Sequence, residues 1–239
     1  MIRVGLLHTV PALVEPFDHD VRAAAPGVQT VHLVDATLLA DAVANGVDRD
    51  LRDRVGRAVD ALVATGVDAV LATCSSIGEA VDAAAAQVRV PVLRVDEPMA
   101  HRAVELARAE GASGRIVVLA TLTATLGPTG RLVERAVRAG ADRADGSDGA
   151  PVSVEAVVVA GAADARAAGD ASRSDALVGE AVRDAAGRAD VVVLAQASMA
   201  AGVPDDVTVP VLTSPAGGVA ALAEAVRPSA PGAASRDRA

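Results

Sequence analysis

The amino-acid sequence predicts an α/β protein of two pseudo-symmetric lobes, each a parallel sheet flanked by helices, with the functional site between them. Three observations predict it. Short apolar runs of strand type alternate with amphipathic, Ala-rich helical stretches, and such alternation with short connections implies parallel sheets covered on both faces. The first half of the chain repeats in the second half, in order. With 51% hydrophobic residues, 239 residues are enough to bury the core of one large or two small domains.

The elements follow regularly. Strands are predicted at 2–7, 28–34, 68–73, 90–95, 115–120, 152–159, 190–195 and 209–213. Helices are predicted near 16–25, 49–65, 77–86, 98–110, 128–139, 174–187 and 216–226. In the repeat, Arg3–Thr9 aligns with Arg115–Thr121, Val31–Ala36 with Val154–Val159, and Val55–Val59 with Val178–Val182. Asp68–Ile77 aligns with Asp190–Met199 without a gap, and Val90–Leu93 with Val209–Leu212. One short apolar match arises easily by chance; five in the same order indicate duplication. The first lobe is therefore 1–97 and the second 98–215, both Rossmann-like, with the final helix near 216–226 expected to pack back on the first. The stretch 141–150 reads as a polar loop and 228–239 as a disordered tail.

Composition excludes several kinds of function. The net charge is -9, the Arg residues are interspersed with Asp and Glu, and Phe17 stands alone with no Trp or Tyr. A nucleic-acid surface needs a basic patch and stacking platforms, so nucleic acid is not an expected partner. No run approaches the ~20 apolar residues of a membrane span, and Met1–Leu7 reads as a first strand rather than a signal peptide. No membrane contact is expected, and the expected location is the cytoplasm. The chain has no lysine, which removes a pyridoxal-phosphate Schiff base and a P-loop lysine. A GxGxxG fingerprint is also absent, so a dinucleotide site is not indicated. One cysteine allows no internal disulfide and no Cys-rich zinc site. Without HExxH, paired helical His or an EF-hand loop, no metal is expected.

In open parallel sheets, ligands bind beyond the carboxyl ends of the strands. Those ends carry His8-Thr9, Thr73-Cys74-Ser75-Ser76, Thr121 through Thr125, Gln196-Ala197-Ser198-Met199 and Thr213-Ser214, a collar of hydroxyls with one thiol. Hydroxyls and free N–H groups at strand-to-helix turns suit a carboxylate. Cys74 stands where a strand becomes a helix, a setting that favours thiolate, although a lone cysteine is commonly a buried structural residue. The repeat places Gln196 at its counterpart position.

These residues carry a resemblance. Over nearly its full length the chain resembles the Asp/Glu/hydantoin racemase superfamily: Thr73-Cys74-Ser75-Ser76 looks like the first-lobe motif, and Leu194-Ala195-Gln196-Ala197-Ser198-Met199 like the second. The resemblance implies two similar α/β lobes and an isomerase, free of cofactors, that moves a proton at the carbon beside a carboxylate. It also implies a cysteine from each lobe, and here the second is replaced by Gln196, which hydrogen-bonds but does not exchange protons near neutrality. Three readings stay open. Cys74 works with a second group, for which His8 is the best candidate because it ends the first strand and titrates near neutrality. Alternatively, Cys74 alone supports decarboxylation of a malonate-like acid or cis–trans isomerisation of an unsaturated diacid. In the third, catalysis is lost and binding kept. Thr9, Thr73, Ser75, Ser76, Thr121, Thr125, Gln196, Ala197 and Ser198 are the candidates for holding a small carboxylate substrate. A binding protein of periplasmic type, also two-lobed, is the rival of another class; a homo-oligomer fits the resemblance. His19 and His101 read as surface residues, His32 as a plain strand histidine, and Asp68 and Asp190 as structural.

Overall fold

The computed structural model describes residues 1–143 and 151–227. The first half runs β1 (Arg3–His8), α1 (Val14–Ala24), β2 (Gln29–Val34), α2 (Ala36–Asn45), α3 (Arg49–Ala64), β3 (Ala69–Ala72), α4 (Gly78–Ala85) and β4 (Val92–Arg94). The second runs α5 (Glu97–Ala107), β5 (Arg115–Ala120), α6 (Thr123–Arg143), β6 (Ser153–Val158), α7 (Ala162–Ala167), α8 (Ala171–Ala186), β7 (Val191–Leu194), β8 (Val211–Leu212) and α9 (Ser214–Ala225). Short 3-10 turns at Pro11–Leu13, Ser75–Ile77 and Ala197–Gly202 follow β1, β3 and β7.

The strands form two parallel four-stranded sheets, β2-β1-β3-β4 and β6-β5-β7-β8, so the same order occurs twice. The central strands β1, β3, β5 and β7 are buried on both faces, which is why they read as continuous apolar runs. The edge strands β2 and β6 are partly exposed and carry Gln, Thr, His, Ser and Glu. Register corrects one expected alignment. Arg3 pairs with Gln29 and Arg115 with Ser153, so Gln29 is equivalent to Ser153 and His32 to Ala156. The repeat in these edge strands is thus offset by one residue from the sequence match, because partly exposed strands retain few apolar positions to mark register.

Alternation along each central strand distributes side chains to two faces. In the first sheet, Leu7 and Val70 pack under α2, α3 and α4 with Leu38, Leu51, Val55, Val59 and Leu62. Val4, Leu6 and Leu71 meet Phe17 and Val21 of α1 and Val219 and Leu222 of α9 on the other face. In the second sheet, Ile116, Val118 and Val193 pack against Met99 and Ala103 of α5 and Leu132 and Val133 of α6. Val117, Leu119 and Val192 face Val178 and Val182 of α8. So α5 leaves the first sheet to cover the second, and α9 leaves the second to cover the first. Burying each such Leu or Val contributes about 1.5–3 kcal/mol, so this exchange ties the lobes together. The approach of α9 is close: a Cβ on Gly218 would lie 2.7 Å from Val95 Cα.

Three helices differ from expectation. α2 follows β2 directly, capped by Asp35, whose side chain accepts from Thr37 N at 2.9 Å. Its Ala-rich sequence buries little more than Leu38 and Ala42, which weakens its period. α7 is only six residues long. α6 starts at Thr123, before Pro128, although proline favours a helix start; Thr125 N and Leu126 N both reach Leu122 O and hold the first turn. α6 also continues to Arg143, into the stretch expected as a polar loop; residues 144–150 and the tail from 228 lie outside the described residues. Among the described residues, no helix is long and apolar enough to cross a membrane.

Candidate active site

A cavity of about 400 Å³ lies at the carboxyl ends of β1, β3, β5 and β7, between the lobes. That is ample for a small acid. Thr9, Thr73, Cys74, Ser75, Ser76, Thr125, Gln196, Ala197 and Ser198 all line it. The topology explains the convergence. Each central strand ends at the same edge of its sheet, and its next residues turn into the cavity before the following helix begins.

Cys74 is half-buried and extended, directly before the 3-10 turn that leads into α4. The hydroxyls beside it span the lobes: Ser75 Oγ donates to Ala195 O at 3.2 Å, and Ser76 Oγ shares a hydrogen bond with Thr125 Oγ1 at 3.1 Å. They hold the thiol's turn against the second lobe. Thr9 differs. Its Oγ1 is buried with no partner among the described residues, yet the residue lines the cavity. A buried hydroxyl without a partner costs free energy, and rotation of the Thr9 side chain toward the cavity would let a ligand relieve it.

Gln196 lines the second-lobe side at the position equivalent to Cys74. Its Oε1 accepts from Thr121 N at 2.7 Å and Thr121 Oγ1 at 3.1 Å. The backbone N–H has to meet an oxygen, which orients the amide and leaves its NH2 as the group available to a ligand. Thr121, expected to bind substrate, is not among the lining residues and instead fixes Gln196.

His8, expected as a second acid/base, does not line the cavity either. It is fully buried behind it. Its Nε2 lies 3.0 Å from His32 Nδ1, its Nδ1 3.1 Å from Thr73 Oγ1, and its ring packs edge-on to Phe17. Burial, with the neighbouring His32 second, pushes its pKa down to about 4. His32 is more than a plain strand histidine: its Nε2 lies 3.1 Å from Asp18 Oδ1. Asp18 is held at about 2, chiefly by hydrogen bonds from Arg22 and Thr30. His19 and His101 are exposed. Asp68 accepts from Arg3 N at 2.8 Å, and Asp190 from Arg115 N at 2.7 Å, equivalent structural roles at strand starts.

The rest of the wall is apolar: Val10, Leu13, Phe17, Leu39, Leu122 and Pro215, with buried Ser214 beside them. These residues carry no motif; their one signal in sequence is that several directly follow strand ends. Among the described residues, no Arg, Asp or Glu side chain lines the cavity. A second polar feature without a sequence signal lies under α4. Buried Arg94 donates from Nε and Nη2 to Asp96 at 2.9 and 2.8 Å and from Nη1 to Asp82 at 2.9 Å. Asp82 also accepts from Arg135, and Glu79 from Arg131, both on α6 of the other lobe.

The family model for Asp/Glu/hydantoin racemases matches residues 7–222. The chain belongs to the Asp/Glu/hydantoin racemase family. Solved structures agree in fold. A glutamate racemase isoform of Bacillus anthracis superposes with a TM-score of 0.69 at 15% identity, over 93% of this chain and 80% of that one. An allantoin racemase of Pseudomonas fluorescens gives 0.54 at 19% identity, over 93% and 89%. An arylmalonate decarboxylase gives 0.54 at 16% identity, over 94% and 91%. No curated protein sequence matches the chain. Within the family fold, this chain presents one thiol and one amide at the two equivalent strand ends.

Proposed function

We propose that this protein is an enzyme of the racemase/isomerase type, free of cofactors, that exchanges or delivers a proton on one face of the carbon beside a carboxylate of a small acid, without inverting its configuration. Cys74 is the acid/base and works from one face. The observation that carries this reading is the make-up of the cavity wall: one thiol, a set of hydroxyls and an oriented amide, with no second side chain among the described residues able to exchange a proton near neutrality.

The residues divide the work. The Gln196 NH2 binds the substrate carboxylate, with Ser198 beside it, and the Thr9 hydroxyl joins them once its side chain turns toward the cavity. When a proton leaves the α-carbon, negative charge moves onto the carboxylate oxygens, and donors fixed there stabilise it. Cys74 Sγ takes the proton or returns it. Because the wall has no charged side chain among the described residues, none forms an ion pair with an α-ammonium group, so the favoured substrates are acids without one.

A single thiol also fits decarboxylation of a malonate-like acid. One carbon–carbon bond breaks and CO2 departs. The electron pair becomes an enediolate, Cys74 gives its proton to carbon, and water reprotonates the thiolate. The apolar wall around Leu13, Phe17, Leu39 and Leu122 favours this version, since it receives an uncharged substituent at little desolvation cost.

The test is NMR in D2O over amino acids, hydantoins, malonates and unsaturated diacids. Deuterium should enter the α-carbon of an accepted acid with one configuration, and Cys74→Ser should lower that rate at least about 100-fold. Turnover that survives Cys74→Ser overturns the proposal. Saturable binding of acids with no exchange or CO2 release would point to a binding protein instead.

A further inference from the structure

Behind the cavity floor lies a continuous chain of polar side chains: Asp18, His32, His8 and Thr73. The steps are 3.1 Å from Asp18 Oδ1 to His32 Nε2, 3.0 Å from His32 Nδ1 to His8 Nε2, and 3.1 Å from His8 Nδ1 to Thr73 Oγ1. Thr73 Oγ1 is also 3.2 Å from Leu7 O, and Thr73 lines the cavity directly before Cys74.

The fold does not require this chain. The positions equivalent to His8, His32 and Thr73 in the second lobe are Ala120, Ala156 and Ala195, at the same register in the same sheet order. Gly130 lies as far along the chain from Thr121 as Asp18 does from Thr9. A Cβ on it would touch the Ala156 methyl at 3.9 Å. Four polar residues in one lobe thus stand where the other packs Gly and Ala. Burying two imidazoles costs free energy that a small apolar residue avoids.

Proton counting constrains what the chain does. The contact between the two rings accommodates one hydrogen. If His8 Nε2 carries it, both rings are neutral: His32 donates to Asp18, and His8 Nδ1 accepts the Thr73 hydroxyl proton. If His32 Nδ1 carries it, His32 is an imidazolium beside Asp18, His8 Nδ1–H donates to Thr73, and the Thr73 hydroxyl proton is released toward Leu7 O or a ligand. The second arrangement holds one more proton than the first. The charged and titratable groups brought to the pair are Asp18 and Arg22 on α1 and, beyond Thr73, Cys74; the ring against His8 is Phe17.

We propose that Asp18, His32 and His8 are positioning residues that set the direction of the Thr73 hydroxyl, so that binding of a carboxylate in the cavity takes up one proton on the histidine pair. This rests on the reading of the cavity as a carboxylate site. The carboxylate gains Thr73 as a further donor only when the pair holds the extra proton. Proton and carboxylate then bind together, so affinity falls as pH rises, by up to about tenfold per pH unit.

The experiment uses the full chain with isobutyrate as the probe. Histidine side-chain 15N–1H spectra from pH 5.5 to 8.5 report the His8 tautomer without ligand, and titration with isobutyrate reports affinity at each pH. The expected result is His8 protonated on Nε2 at high pH and on Nδ1 after proton uptake or isobutyrate binding. Affinity should fall with pH, and His32→Gln should bind isobutyrate with a flat pH profile. Affinity independent of pH, or the same slope in His32→Gln, overturns the linkage. Failure of any carboxylate to bind overturns the cavity reading. In that case the tautomer spectra still decide the relay, which fails if His8 carries Nδ1–H at high pH.

Discussion

Gly78→Ala should be costly although glycine there has ordinary helical geometry, with φ -55° and ψ -40°. On propensity alone the change would favour α4 by at most about 1 kcal/mol, the helix-interior value, since Gly78 is its first residue. The new Cβ, however, would collide with the guanidinium of Arg94, meeting Nη2, Cζ and Nε together. That group is the centre of a planar fork only 3% exposed, fixed by two bonds to Asp96 and one to Asp82. Moving it strands the Asp96 side chain, which is 1% exposed. Breaking such a buried pair costs about 3–5 kcal/mol, so after the propensity gain the net loss is about 2–4 kcal/mol. Equilibrium urea denaturation followed by circular dichroism measures it. The same substitution in an Arg94→Met, Asp96→Asn background removes the obstacle and should be close to neutral. A loss under about 0.5 kcal/mol in the natural background, or an equal loss in both, refutes the collision argument. Because Gly78 ends the turn that begins after Cys74, the destabilised variant should also lose turnover beyond its loss of folded protein.

Gln196→Cys places a second thiol at the position equivalent to Cys74. Products that chiral chromatography finds as one enantiomer with the natural protein should become racemic, and persistence of one enantiomer counts against the equivalence. The same variant leaves Thr121 N–H and Oγ1 to cavity water, so its stability should drop by about 1 kcal/mol in the urea assay. His8 makes stability depend on pH. Its pKa is lowered to about 4 from 6.5, so its contribution is complete above pH 6.5 and is lost as pH falls from 6.5 to about 4, with no further loss from this group below. The loss over that window is at most about 3 kcal/mol, and His8→Leu should flatten it in denaturation curves taken across those pH values.

Much of this arrangement was legible in sequence because it depends on backbone order. All eight strands fall in expected runs, since buried parallel strands are continuous apolar stretches. The gapless match of Asp68–Ile77 to Asp190–Met199 corresponds to β3 and β7 in equivalent registers, which puts Cys74 and Gln196 at matching strand ends. The one-residue slip in β2 and β6 hid the equivalence of His32 with Ala156. The Asp18–His32–His8–Thr73 chain was not legible, because its members lie on one helix, two strands and the residue after a third, and no local spacing links them. Nor was the partner of Thr121: a threonine at a strand end looks the same in sequence whether it faces a ligand or holds a glutamine.

That partner bears on how the two lobes divide the proposed chemistry. Thr9 and Thr121 follow equivalent strands, β1 and β5. In the second lobe, Gln196 Oε1 satisfies both the N–H and the hydroxyl of Thr121 from within the protein. The side chain of Cys74 offers no such oxygen, and Thr9 Oγ1 is left buried without a partner among the described residues. Glutamine at the second strand end therefore uses up that lobe's strand-end hydroxyl and puts an amide where the first lobe has its thiol. The first lobe keeps the thiol and an unpaired hydroxyl, with Thr73 and the histidine chain behind them. On the proposed reading, the substrate's reacting carbon and one carboxylate oxygen lie against the first lobe, while the second lobe supplies the amide that holds the other oxygen. The lobes share a backbone plan, and their unequal polar side chains make the two walls of the cleft chemically different, which on the proposed reading lets the site work from one side.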